Sequence, residues 1–131
     1  MNFSVSWAIK KFWKIDGGTE RVSTWEDVWS RLSPLQTKAG SASLDIMEPP
    51  DLGPLSMGLI AANGHYLITL LELEENGLNV RDYTNPEVEF EMVDLLGDMW
   101  DSRLLTSDFN LVYKLFEEFF RTGDVSKDWL E

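Results

Sequence analysis

Cysteine is absent from the sequence. That excludes a disulfide framework, a thiolate zinc site and a cysteine nucleophile, and it fits a reducing compartment. There is one histidine, His65, so a histidine-rich metal centre is also excluded. A Ser-His-Asp triad would have to use His65, and no G-x-S-x-G elbow surrounds it. The chain has neither a Walker loop nor a G-x-G-x-x-G fingerprint, and Gly17-Gly18 reads as a turn. Asp94, Asp98 and Asp101 lack the spacing and terminal glutamate of a calcium loop. No run approaches the roughly 18 apolar residues that span a bilayer. The opening MNFSVSWAIKKFW has no basic leader followed by an apolar stretch and a small-residue cleavage site. A soluble cytoplasmic protein without metal or cofactor is therefore expected.

What is present is globular in character. Apolar residues make up 44% of the chain, with six Trp, seven Phe and three Tyr, and 131 residues suffice for one domain with a real core. The net charge of −12 is unevenly placed. Residues 1–40 carry six Lys/Arg against four Asp/Glu, whereas residues 41–131 carry five against nineteen. From Glu72 to Asp101 ten acids face a single base, Arg81. Such a field repels nucleic acid and anionic lipid, attracts basic proteins and speeds their capture. Acidity of this kind also simply keeps a protein soluble.

The local patterns predict one α+β domain over residues 1–131. Phe3, Val5, Trp7 and Ile9 alternate with small or polar residues, which gives a strand with one buried face. Ile15–Arg21 reads as a turn. Ser23 and Glu26 have capping-box spacing ahead of a helix whose apolar face is Trp25, Val28, Trp29 and Leu32, and Pro34 helps to end it. SASLDIM is a short strand, and the prolines of EPPDLGP break structure. SMGLIAA, Asn63-Gly64 and HYLITLLEL form a hairpin with a type I′ turn. LNVRDYTN and EVEFEMVD read as two further strands separated by Pro86, and LLGDMWDSRLL as irregular chain. Ser107 is placed to cap a final helix with the stripe Leu111, Val112, Leu115, Phe116, Phe119 and Phe120, which Gly123 closes. The tail DVSKDWLE brings Trp129 back toward the core. The expected architecture is a mostly antiparallel sheet of about five or six strands with two main helices packed on it.

EVEFEMVD sets Glu87, Glu89 and Glu91 at alternate positions, which on a strand places like charges on one face about 6.6 Å apart. Paired carboxylates at roughly 5 to 9 Å suit glycoside hydrolysis, but so common a spacing has little specificity. A catalytic acid needs burial to raise its pKa, and this pattern points the carboxylates away from the apolar face. The bases Lys10, Lys11, Lys14, Arg21 and Arg31, with Trp7, Phe12 and Trp13 beside them, are too few to make a nucleic-acid surface. Trp7 suits the core and Phe12 or Trp13 a half-exposed surface.

HYLITL after an Asn-Gly turn, RDYTNP, Gly97-Asp98-Met99-Trp100 and FEEFFRTGDVS together resemble small immunity proteins of bacterial contact-dependent growth inhibition and other polymorphic toxin systems. The resemblance covers roughly residues 24–130 and is most specific at Thr122–Ser126. It implies a non-enzymatic protein that binds and neutralises a cognate toxin domain, often a nuclease, in the cytoplasm. The resemblance also offers the charge a purpose. A nuclease presents a basic cleft, and Glu72, Glu74, Glu75, Asp82, Glu87, Glu89 and Glu91 are the candidate residues to meet it. The same acids are equally compatible with a solvated sheet face or a guarded edge. A small carboxylate-dependent hydrolase and an adaptor for a basic protein or peptide remain as alternatives. Nucleic acid and membrane are not expected partners, and a monomer is the expected state.

Overall fold

Alternating apolar residues from Phe3 onward do lay down a strand. In the computed structural model, which describes residues 1–131, β1 spans Phe3–Lys11 and turns directly into β2, Lys14–Val22. The helix α1, Trp25–Leu32, and a 3-10 turn, Ser33–Gln36, lead to β3, Gly40–Ile46. Then come β4, Gly53–Ala62; β5, His65–Glu74; and β6, Gly77–Asp82. A small hairpin, β7 (Met92–Leu95) and β8 (Asp98–Asp101), precedes a 3-10 turn at Ser102–Leu104, β9 (Leu105–Thr106) and α2 (Phe109–Thr122). The main sheet runs β2-β1-β3-β4-β5-β6, with β9 alongside the start of β5, and every pairing is antiparallel.

Both helices cover one face of this sheet. Their apolar stripes meet Phe3, Val5, Leu44, Met57, Leu59, Ile68 and Leu70, all buried, in a single core of 25 residues. Phe119 packs edge-on against Phe3 at 5.6 Å, and Trp25 stacks with Trp29 at 5.9 Å. The opposite face carries small polar residues, Ser4, Ser6, Ser41, Ser43, Ser56 and Thr69, none of them fully buried. At the β9 end the β7–β8 hairpin covers that face, burying Leu95 with Ala62, Leu67 and Leu105.

Several local expectations change. Ile15–Arg21 is strand, and the turn is at Phe12-Trp13. Gly17-Gly18 looks like a turn but serves the neighbouring strand: a Cβ on Gly18 would lie 2.7 Å from the Trp7 ring. Thr24 rather than Ser23 caps α1, accepting from Asp27 N at 3.2 Å. Asp108 rather than Ser107 caps α2, accepting from Asn110 N at 3.0 Å. In the tail Leu130 is fully buried, while Trp129 stays 36% exposed with Lys114 over its ring at 4.1 Å. LLGDMWD forms the end of β7, the Leu96-Gly97 turn and β8, and EVEFEMVD contributes only its end, from Met92, to a strand.

Candidate partner-binding surface

Residues 86–91 are an exposed loop, so Glu87, Glu89 and Glu91 do not share a strand face. The reason lies in what occupies the backbone groups. Asn85 N donates to Arg103 O at 2.7 Å, and Glu87 N donates to the Asn85 side chain at 3.0 Å. The hydroxyl of Ser102, a buried residue, donates to Glu89 O at 2.7 Å and accepts from Glu91 N at 2.9 Å. Ser102 N completes the set by donating to Glu91 O at 2.9 Å. A loop clamped to a 3-10 turn in this way has no free ladder to offer a sheet, and Pro86 donates nothing.

The consequence for the surface is large. An amphipathic strand would hide Val88, Phe90 and Met92; here they are 40%, 57% and 50% exposed, interleaved with the three glutamates. Arg103 lies over the Phe90 ring at 4.9 Å and is neutralised by Asp101 at 2.6 Å. The Arg103 hydrogen bonds hold the Asp101 carboxyl below the usual carboxylate range. Asp94 caps the β7–β8 turn through Gly97 N at 2.8 Å, and Asp98 is exposed. Exposed apolar groups set among carboxylates are what a protein interface with a basic partner uses, with apolar anchors for affinity and charge for orientation.

The other candidate acids are dispersed. Glu72 lies beneath the helix-covered side, 13% exposed, accepting from Asn79 at 3.1 Å and paired with Arg81 at 3.4 Å. Glu74 shares Asn79 at 3.4 Å, and Glu75 is exposed in the β5–β6 turn. Asp82 is half-buried at the end of β6, and burial raises its pKa. Its backbone exchanges hydrogen bonds with Glu131 at 3.1 and 3.2 Å. The structure therefore gathers Glu87, Glu89 and Glu91 at one place. Glu74 and Glu75 sit at the far end of β5, and Glu72 is committed to an internal ion pair.

Beside the loop lies a cleft of about 180 Å³ lined by His65, Tyr83, Asn85, Glu91, Ser102 and Thr106, among others. The His65 Nδ1 is enclosed there without a hydrogen-bond partner. No group of three or more His, Asp or Glu side chains is arranged to hold a metal ion, and no helix is long and apolar enough to cross a membrane.

On the open sheet face Asp45, with Ser43 donating to it at 3.2 Å, has its pKa raised chiefly by burial and has no cation beside it. A raised folded-state pKa means that the ionised form burdens the fold above it, and stability recovers as pH falls through it. Asp45→Asn should therefore raise the thermal midpoint near neutral pH. The gain should vanish in acid, where the wild-type carboxyl is itself neutral; thermal melts across the carboxylate range test this.

These features define an α+β protein with a single antiparallel main sheet, two helices on one face and an exposed acidic loop on a small accessory hairpin. Residues 6–129 match a family described as a family of unknown function (DUF6911), and the chain belongs to it. A crystal structure of a hypothetical protein from Neisseria gonorrhoeae has the same fold, with a TM-score of 0.79 at 14% identity, over 95% of this chain and 90% of that one. No curated protein matches the chain.

Proposed function

We propose that this chain is a binding protein that captures and neutralises a cognate toxin domain in the cytoplasm, the toxin being a basic protein such as a nuclease. The observation that supports this reading is the 86–91 loop and the start of β7: Val88, Phe90 and Met92 stay exposed beside Glu87, Glu89 and Glu91, on a backbone pinned by buried Ser102. Pinning lowers the ordering cost of association, and the alternating residues supply both anchors and steering charge. Glu74, Glu75 and Asp82 lie elsewhere and are secondary in this reading, and Glu72 serves the fold.

The test is binding to the purified product of the gene immediately upstream. Glu87→Lys, Glu89→Lys and Glu91→Lys together should weaken binding by about a hundredfold or more, because each reversal replaces attraction with repulsion at a desolvated contact. The thermal midpoint should hardly move, since all three side chains are exposed. Wild-type affinity should fall with salt. Undiminished binding by the triple variant would remove this loop from the interface. Absence of any wild-type binding would return the question to the cleft shared by Glu91 and His65 and to a hydrolytic role.

A further inference from the structure

The most exposed large apolar side chains in the molecule are Phe12, fully exposed, and Trp13, 90% exposed. Together they form the two-residue turn between Lys11 and Lys14. Phe12 holds a left-handed backbone with φ 49°, which a bulky residue adopts only at a cost. The same chain uses the strain-free solution, Asn63-Gly64, at its β4–β5 turn. Leu96 repeats the oddity at the β7–β8 turn, with φ 56° and 43% exposure. It lines a shallow hollow with Lys10 and Ile15, and Ile15 is 67% exposed. Two hairpin tips thus carry apolar side chains in strained turns toward one end of the molecule.

That end is also basic. Lys10, Lys11, Phe12, Lys14 and Lys38 line a common hollow. Lys11 is paired with Asp16 at 2.9 Å, whereas Lys10, Lys14 and Lys38 have no carboxylate partner. Lys38 is held beside the tip by the hydrogen bond from Lys10 N to Ala39 O, at 2.9 Å. We propose that this end docks on an anionic bilayer surface. Phe12 and Trp13 enter the headgroup layer, Ile15 and Leu96 form an apolar shoulder, and the three unpaired lysines lie over anionic headgroups. Aromatic tips backed by lysines suit that boundary, where one side of the site is apolar and the other wet and charged.

Two observations favour a bilayer over nucleic acid. The cations at the tip are all lysines, which are strongly hydrated point charges suited to a diffuse field, whereas arginine is the residue for forked phosphate and base contacts. The two rings also lean on each other, with centroids 5.9 Å apart, and so offer no platform for successive bases. The overall negative charge does not forbid the contact. β5 begins beside the basic end, through the pairings of Gly40 with Ala61 and Ala62 with His65, and carries Glu72 and Glu74 away from it. At about 3.3 Å per residue Glu74 is roughly 30 Å distant, several Debye lengths at physiological salt. In the nearer β7–β8 hairpin Asp94, which accepts from Gly97 N, and Asp98 are both exposed acids without a cation partner. The acidic 86–91 loop borders His65 at the start of β5, so the contact requires the lysine-backed Phe12-Trp13 tip to meet the bilayer foremost.

The experiment is co-sedimentation of the full chain with phosphatidylcholine vesicles, with and without phosphatidylglycerol. The comparison variants are Phe12→Asn with Trp13→Gly, and Lys10→Gln with Lys14→Gln and Lys38→Gln. The first installs the turn dipeptide the protein already uses, so folding is retained, which circular dichroism checks. Wild type should sediment with anionic vesicles only, and each variant should bind at least about tenfold more weakly. No wild-type binding to anionic vesicles, or binding undiminished by the turn variant, would overturn the proposal. Capture of a single-stranded oligonucleotide in place of vesicles, or a tip-dependent dimer without lipid binding, would overturn it equally. None of these outcomes depends on whether the acidic loop binds a toxin.

Discussion

Arg81→Ala is expected to cost about 4 kcal/mol of folding stability, a large share of the roughly 5–15 kcal/mol available to a domain of this size. Arg81 is the one base in the acidic block and is only 2% exposed. Its Nε donates to Leu130 O at 3.1 Å and its Nη2 to Val125 O at 2.5 Å. Its Nη1 meets Asp124 at 2.9 Å and Glu72 at 3.4 Å. Truncation would leave two carbonyls of the tail without this donor, remove the cation from the inward-facing Glu72 and open a large void between β6 and the tail. With a urea slope near 2 kcal/mol per molar, the midpoint should fall by roughly 2 M.

The comparison variants separate charge from shape. Arg81→Lys should recover little, because one ammonium cannot reach four acceptors on two sides of a planar fork. Arg81→Met fills volume but strands Glu72, so adding Glu72→Gln should restore part of the loss. If Arg81→Ala left the midpoint within a few tenths molar of wild type, Arg81 would not be what fixes the C-terminal tail to the sheet. Buried Val125 and Leu130, the Leu130 bridge to Tyr83 and the bond from Ser126 N to Glu118 would then hold the tail without it.

That role could not be read from the chain, because the two carbonyls Arg81 binds are 44 and 49 residues away. Local features fared better. The Asn63-Gly64 hairpin carries its own turn chemistry, with φ 54° and 76°, and the α2 stripe states which face is buried. β2 was hidden because its glycines answer to Trp7 on the next strand, and a residue that makes room for a neighbour looks the same as one that turns. EVEFEMVD misled for a related reason. Period-two alternation makes a strand only where a sheet edge is free to receive it, and here Asn85, Ser102 and Arg103 had already taken the backbone groups. The loop that resulted leaves the acids exposed, as a strand would have done, but exposes the apolar residues between them as well. Phe12 and Trp13 were legible as surface residues, but the extent of their exposure was not.

The second large effect is expected at Gly40→Ala, at about 3 kcal/mol, near the upper end of the overpacking range. Gly40 opens β3 between Ile9 of β1 and Ala61 of β4. A Cβ there would fall 2.3 Å from Ala8 O, 3.0 Å from the Ile9 Cα and 3.0 Å from Leu35. Two of these neighbours are backbone atoms of a paired strand, so relief requires the β1–β3 ladder to part where Lys10 N also binds Ala39 O. Gly58→Ala provides the control within the same sheet. Its nearest obstacle is the Thr69 hydroxyl at 3.1 Å, a side-chain atom that can rotate away. Gly58→Ala should therefore change stability by less than about 1 kcal/mol, offset in part by the smaller conformational freedom of the unfolded chain. Urea midpoints for the pair decide the matter. A wide gap, with Gly40→Ala the worse, places the cost in the close approach of two backbones, whereas equal losses would mean that any side chain added to this sheet is penalised alike.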